Sequence, residues 1–447
     1  MALPQNLLYG NKVSALPARQ YSSNIQPQGA QSYIPNDVMI FNIPCNSNTV
    51  MSPMDTFLKF NFVWTNGSTN TQTFVRLAKA GIHSCIQRLR LFHGSVLLED
   101  LDNYGNLVSQ LVTHQRSSDS VRFKGSVVEG FEQTIPLFDA SGNSGVYAMD
   151  GIRGARLHNA DYASAALATS ASTTSRTFAV PLISILGTLT DKYIPLFKMT
   201  QAPLRLEIQL VPNALIPVIV PSAAAASTFT VSNVELVCTF VELGDASLQL
   251  IEQSIGGQDV QLAVERYSNV VYNQTLLTST TSISCPVPFK YSSIEALLVT
   301  QRVQADANGV VLRDAFASYP FSISEYFFNF GSITLPSKRP NDLAQMFNFY
   351  QYSQIATAAN STEAGDGTGT TDTNGGLAGS FGVAMELTSF PSADSSGMFA
   401  GRNTQTEDVF FNATYAAQAG STNVRYDFYC LHQAVISCGA NGSAIRY

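Results

Sequence analysis

The chain has 447 residues and a formal net charge of −7, and only 13% of its residues are charged against 45% hydrophobic. Ordinary globular proteins carry about 25% charge, so Ser, Thr, Asn and Gln must supply the polar surface. No basic run exists, and the first 40 residues hold only Lys12 and Arg19, which argues against tight binding of a genome by a cationic arm.

Low charge suits a surface that is covered by further copies of the same chain, because the cores of interfaces are depleted in charge. A secreted β-protein with a Ser/Thr-rich surface is the competing account of the same composition. The length predicts about two to three domains. The first 20 residues lack a charged segment followed by a sustained apolar one, so no signal peptide is expected, and no apolar run reaches the ~18 residues of a membrane span. Cys45, Cys85, Cys238, Cys285, Cys430 and Cys438 are scattered, without CxxC pairs or His at zinc spacing. Free thiols are therefore expected in preference to a disulfide framework. Five Asn-x-Ser/Thr matches in so Ser/Thr-rich a chain are read as chance.

In chain order, residues 1–34 are polar and rich in Pro, Gln and Gly, and read as an extended arm ordered only by neighbours. Short β-rich runs follow at 38–44, 57–64 and 73–77. In the second, Leu58, Phe60, Phe62 and Trp64 form a wholly apolar set alternating with Phe57, Lys59, Asn61 and Val63, the pattern of a strand with one buried face. Asn66-Gly67 is a turn signal. The stretch 86–111 runs from an apolar strand through Gly94-Ser95 into a second short apolar run. It then enters a helical pattern on Leu101, Tyr104, Leu107, Val108 and Leu111, with Asp100 or Asp102 placed to cap it. A strand is expected near 121–128 and a long Gly/Ala/Ser/Thr loop over 139–175, of the length that usually serves function or an interface. Leu204, Leu206, Ile208 and Leu210 alternate with polar residues as a half-buried strand, and 228–243 reads as a long strand closing a first domain.

Residues 245–254 look like a short linking helix before Gly256-Gly257. Strands then resume at 260–274, 282–289 and 294–303. The stretch 325–350 echoes 86–111: Gly331, Ser332 and Leu335 match Gly94, Ser95 and Leu98 at a constant offset of 237, about half the chain. Pro340 suits a first helical turn, with Leu343, Met346, Phe347 and Tyr350 on one face. A low-complexity loop is expected over 358–379, and strands at 383–387, 408–415 and 424–437 finish the chain. A repeat at half-length points to two similar domains in tandem, and the preponderance of short strands points to sandwiches.

No HExxH, GxSxG, P-loop or GxGxxG occurs, and there are five histidines. His83 and Cys85 would share a strand face, but no third partner lies near for a Cys–His nucleophile. Glu99, Asp100 and Asp102 precede a helix, where dipole complementation explains them better than calcium, since the Gly-punctuated spacing is missing. Phe321, Tyr326, Phe327, Phe328 and Phe330 lack interleaved cations, so sheet core is the better reading than a base-stacking platform. No catalytic, cofactor-binding or metal residue is assigned, no cofactor is expected, and the chain is read as a non-enzyme.

The tandem plan, with the blocks GSVLLEDLDNYGNLVSQL, FAVPLISILGTLTDKYIPLFKM, LRLEIQLV and LPSKRPNDLAQMFNFY, and the ending GVAMELTSF and SGMFAGRNTQ before a long last strand, resembles the double jelly-roll major capsid proteins. These occur in icosahedral DNA viruses, including tailless membrane-containing phages, virophages and polinton-like viruses. The resemblance covers about residues 35–447 and implies an all-β fold of two tandem eight-stranded jelly-roll sandwiches, with short helices in the connecting loops. It implies an arm over 1–34, jelly rolls over 35–244 and 258–447, and a linker at 245–257. It further implies a homotrimer forming a pseudo-hexameric capsomer that tiles an icosahedral virion shell assembled inside the host cell. Neighbouring capsomers, penton and minor capsid proteins, and an internal membrane within reach of the arm would be its partners. A single jelly-roll coat predicts a basic N-terminus, which is missing. A secreted or surface glycan-binding adhesin predicts a signal peptide and is kept as the alternative, and a sandwich hydrolase would need paired carboxylates in a cleft.

Overall fold

The computed structural model describes residues 18–65, 76–78, 80–115, 124–131, 173–190, 192–219, 228–309, 315–319, 321–341, 345, 381–388, 401–418, 420–439 and 442–447. The first half contains β1 (Ala18–Ile25), β2 (Ser32–Tyr33), β3 (Val38–Ile43), β4 (Thr49–Thr65), β5 (Arg76–Leu77), β6 (Ile86–His93) and β7 (Val96–Asp102). Helices α1 (Tyr104–Gln115) and α2 (Ser126–Val128) follow, then β8 (Thr173–Pro181), β9 (Leu204–Leu210), β10 (Val218–Ile219) and β11 (Thr228–Leu243). After α3 (Asp245–Ile255) come β12 (Val260–Leu276), β13 (Thr281–Pro286), β14 (Ile294–Val303), α4 (Gln304–Ala307), β15 (Ile323–Phe330) and β16 (Ile333–Leu335). The last strands are β17 (Val383–Glu386), β18 (Val409–Tyr415), β19 (Thr422–Gly439) and β20 (Gly442–Arg446).

These strands form two sandwiches of one topology. In the first, the sheet β1-β11-β4-β8 faces β3-β9-β6-β7; in the second, β12-β19-β14-β17 faces β13-β18-β15-β16. The two orders correspond strand for strand. In each, the opening strand pairs with the closing one, the second strand pairs with the penultimate one, and a hairpin ends the second sheet. Four strands per sheet give eight per sandwich, with β2 and β20 as additions on β11 and β19. All pairings are antiparallel, as hairpin and Greek-key connections require.

The half-length echo in the sequence is the hairpin common to both. His93 pairs with Val96 and Phe330 with Ile333, so Gly94-Ser95 and Gly331-Ser332 are two-residue turns. Gly94 and Gly331 have φ of 58° and 56°. Tight hairpins need a positive φ that glycine adopts without steric cost, which is why this residue repeats.

Alternation places the cores. Leu58, Phe60, Phe62 and Trp64 of β4 are each at most 1% exposed, and they meet Phe178 and Phe229 from the neighbouring strands. In the second sandwich Phe411 contacts Tyr326, Phe328 and Phe428 at ring-centroid distances of 5.2–6.4 Å. The aromatics read as sheet core are core: Tyr326, Phe328 and Phe330 are fully buried and Phe321 is 4% exposed. Phe327 lies beneath the Arg339 guanidinium at 4.0 Å instead.

Four expectations need correction. Residues 18–25 are not an arm ordered by neighbours: β1 pairs along its whole length with β11, from Ala18 opposite Leu243 to Ile25 opposite Leu236. It fills the place that β12 has in the second sandwich. Its side chains are mostly exposed, so composition alone reads it as loose, and the pairing rests on backbone hydrogen bonds with Tyr21 on Phe240. The strand expected near 121–128 is the single helical turn α2 where it is described. The acidic residues Glu99, Asp100 and Asp102 lie on strand β7, and α1 starts only at Tyr104. The loop expected over 139–175 ends in strand β8, which begins at Thr173; its part at 139–172, the loop at 358–379, the turn at 66–67, residues 1–17 and nearly all of the second helical pattern at 340–350 lie outside the described residues. Among the described residues, no helix is long and apolar enough to cross a membrane.

Candidate functional site

Most sheets in the chain bury one face. The sheet of β12, β19, β14 and β17 buries both. Along β14, Leu297 and Val299 join the core of the second sandwich, while Ala296 and Leu298 join the core of the first. On β19, Phe428 and Cys430 point one way, and Tyr429 and Leu431 the other. A β-strand sends successive side chains to opposite faces, so one strand is shared between two cores. Continuous apolar runs are the mark of such strands, and IEALLV in β14 is that signal, absent from the alternating LRLEIQL of β9. The two sandwiches are thereby packed together through an apolar face.

The partner surface comes from the stretch that organises the first sandwich. Helix α1 is buried all round from Tyr104 to Leu111, including Asn106, Ser109 and Gln110. The sequence reading gave it one apolar face only. Of its polar residues, Asn106 meets the second sandwich directly. The Asn106 amide donates to Thr300 Oγ1 and to the Tyr429 hydroxyl, both at 2.9 Å, and that hydroxyl donates to the Asn103 carbonyl at 2.9 Å. Asn103 donates through its side chain to Asn269 at 2.8 Å and accepts from Arg425. Gly105 allows the close approach: a Cβ there would lie 3.1 Å from both the Phe316 ring and the Ser84 Cα. Burial keeps the Tyr429 phenol protonated, its pKa well above the ordinary value.

One buried ion pair stands at this contact. Arg302 donates to Asp427 from Nε at 2.9 Å and Nη2 at 2.6 Å, and to the Ala315 carbonyl from Nη1 at 2.8 Å. Arg302 is 3% exposed and Asp427 is fully buried. Arg425 reaches the other carboxylate oxygen at 3.1 Å. A cleft of about 450 Å³ opens beside them, lined by Arg88, Asp102, Asn103, Asn106, Arg302 and Arg425 among others. Its lining arginines are held by carboxylates behind the lining: Arg88 lies 2.6 Å from Asp100, and Arg302 and Arg425 both hold Asp427.

The acidic residues before α1 serve this packing separately. Asp100 takes Arg88, and Asp102 accepts from Gln87 and from the Asn103 backbone N–H, each at 2.8 Å. Glu99 is fully buried and accepts from the Ser184 hydroxyl and the Ile185 N–H. Burial raises its pKa, against the opposing pull of Ser184 and Arg266. Three carboxylates on one strand thus point to different partners. Among the described residues no cluster of His, Cys, Asp and Glu suited to a metal ion occurs.

His83 and Cys85 lie in the 3-10 turn Gly81–Cys85, not on a strand. His83 stacks on Phe131 with centroids 5.6 Å apart and approaches the Tyr104 hydroxyl at 3.3 Å. Burial pushes the Cys85 thiol up to about 12, the opposite of an activated nucleophile. None of the six cysteines is paired: Cys45 is half-buried and the other five are buried. In the second sandwich His432 stacks on Tyr291 at 3.7 Å, and burial with the nearby Arg266 lowers its pKa to about 3. It is a neutral core imidazole at any ordinary pH.

The Tyr429 hydroxyl offers a direct check on the contact. Tyr429→Phe should cost about 1–2 kcal/mol, because it deprives a buried Asn106 N–H of its acceptor. Tyr415→Phe removes a comparable bond, to Gln301 at 3.0 Å, inside the second sandwich. Limited proteolysis around 245–257 should accelerate in the Tyr429 variant and stay near the parent rate in the Tyr415 variant.

No protein-family model and no curated protein sequence matches the chain. Solved structures do. PBCV-1 VP54, fitted into a reconstruction of the virophage Sputnik, aligns with a TM-score of 0.62 at 9% identity, over 98% of this chain and 99% of that one. The Faustovirus major capsid protein aligns at 0.59 and 9% identity, over 97% and 93% of the two chains. The mavirus major capsid protein aligns at 0.56 and 9% identity, over 100% and 94%. At that identity it is architecture that is shared, and the duplicated strand order with its common hairpin says which: the chain has the double jelly-roll fold of these major capsid proteins.

Proposed function

We propose that the protein is a major capsid protein, whose work is mechanical. Three copies would form a pseudo-hexameric capsomer, because three pairs of like sandwiches present six similar blocks, and capsomers would tile an icosahedral shell. The observation that carries this reading is the sheet shared between two cores. It favours a pair of sandwiches that behaves as one rigid block, the property a tile needs, and the full-length likeness to capsid proteins adds to it. The division into jelly rolls on either side of residues 245–257 belongs to the same proposal, with β1 counted in the first.

Neighbouring capsomers, penton and minor capsid proteins are the partners this reading assigns, in the virion. The acidic balance of the chain speaks against direct packing on a genome. Catalysis has no part in the proposal. A glycan-binding role draws no support from the paired, charge-balanced cleft.

Light scattering on the purified full chain tests the reading. A stable particle of three times 48.2 kDa, or a larger assembly built from it, is expected. A monomer at micromolar concentration that forms no lattice at raised concentration would sink it.

A further inference from the structure

We propose that residues 1–17 dock along the apolar stripe of the linking helix α3. This goes beyond the shell-building reading and does not depend on it.

Among the described residues the helix lacks the partner its stability requires. It has 11 residues, and among them only Ser247 is buried. Leu248, Ile251 and Ile255 lie at spacings of three and four along one face and are only half covered. Gly244 at its start offers no side-chain cap. A helix below about 12–15 residues is marginal in water, and in proteins most of its stability comes from packing an apolar face. Lys198 reaches Glu252 at 3.2 Å, but a pair so exposed contributes little.

The occupant is at hand. Ala18 pairs with Leu243, two residues before α3 begins. Residues 1–17 therefore join the molecule beside the start of the helix. Their sequence, MALPQNLLYGNKVSALP, carries Leu3, Leu7, Leu8, Tyr9, Val13 and Leu16, and one charge, Lys12. The helix carries Asp245 and Glu252 and no cation of its own. An apolar, weakly cationic segment thus starts next to an apolar, acidic helix. Reach is ample, since 17 residues extend to about 55 Å while α3 is about 17 Å long.

Two measurements on the full chain decide it. The first pairs Leu8→Cys with Ile251→Cys, a position on the stripe, under mild oxidation. The control pairs Leu8→Cys with Leu277→Cys, which is 50% exposed at the far end of β12. The first pair should form its disulfide at least tenfold faster, whether within one chain or between two copies. The second measurement is hydrogen exchange in a chain lacking residues 1–17. Amides 248–255 should exchange at least tenfold faster, while those of β19 keep their rates and report an intact fold. Equal cross-linking in the two cysteine pairs, or α3 exchange indifferent to the deletion, would overturn the proposal. Exchange that ignored the deletion but slowed with protein concentration would assign the stripe to another surface of a second copy, and would overturn it too.

Discussion

Arg302→Met is expected to destabilise the chain by about 3–5 kcal/mol, the usual cost of leaving a buried charge without its partner. Met keeps most of the volume and removes the fork that holds Asp427 with two hydrogen bonds. Asp427 is fully buried, so water cannot replace those bonds. Arg425, at 3.1 Å on the other oxygen, remains and should keep the loss toward the lower end. The double variant with Asp427→Leu should be less damaged than the sum of the two single changes, because no unpaired carboxylate is left in the interior. Urea denaturation of the four proteins gives the cycle. A single-variant loss under about 1 kcal/mol would mean that Asp427 is solvated after all.

Glu295→Gln is expected to stabilise the chain at pH 8 and to change little at pH 4.5. Burial, and then the neighbouring Glu265, raise the Glu295 carboxyl from its ordinary 4.5 to about 7. The folded chain therefore holds this proton more tightly than the unfolded chain does. Its contribution to stability is greatest below 4.5, declines as the pH rises toward 7, and is level above that. A shift of this size corresponds to at most about 3 kcal/mol. Gln keeps the shape and cannot ionise, so the decline should be absent from the variant. Urea midpoints compared at the two pH values check this, and an equal gap at both would show that Glu295 is not the group responsible.

Both effects arise where strands of the second sandwich carry polar side chains inward, and that location was not legible in the sequence. Much of the rest was. Period-two alternation in β4 and β9 marked strands, and the linking helix stood out at 245–254 before its glycine pair. The offset between Gly94 and Gly331 betrayed the duplication, since a two-residue hairpin constrains its glycine wherever it recurs. Two readings went astray for a common reason. Residues 18–25 lack apolar patterning because an edge strand can be held by backbone bonds alone, which leave no trace in side-chain periodicity. The residues Glu99, Asp100 and Asp102 resembled a helix start because charge near a helix carries no label for strand or cap. The helical pattern of α1 named only apolar positions, and the amide of its Asn106 is satisfied from the second sandwich by Thr300 and Tyr429.

By itself the sequence determined the kind of element, the side of each strand that turns to a core, and the fact of duplication, because these depend on neighbours a few positions apart or on a motif used twice. Only the tertiary structure decided that one sheet is buried on both faces and that β7 and α1 lie against it. Asn106 and Tyr429 are 323 positions apart. Periodicity tells which way a side chain points, and is silent about what stands opposite.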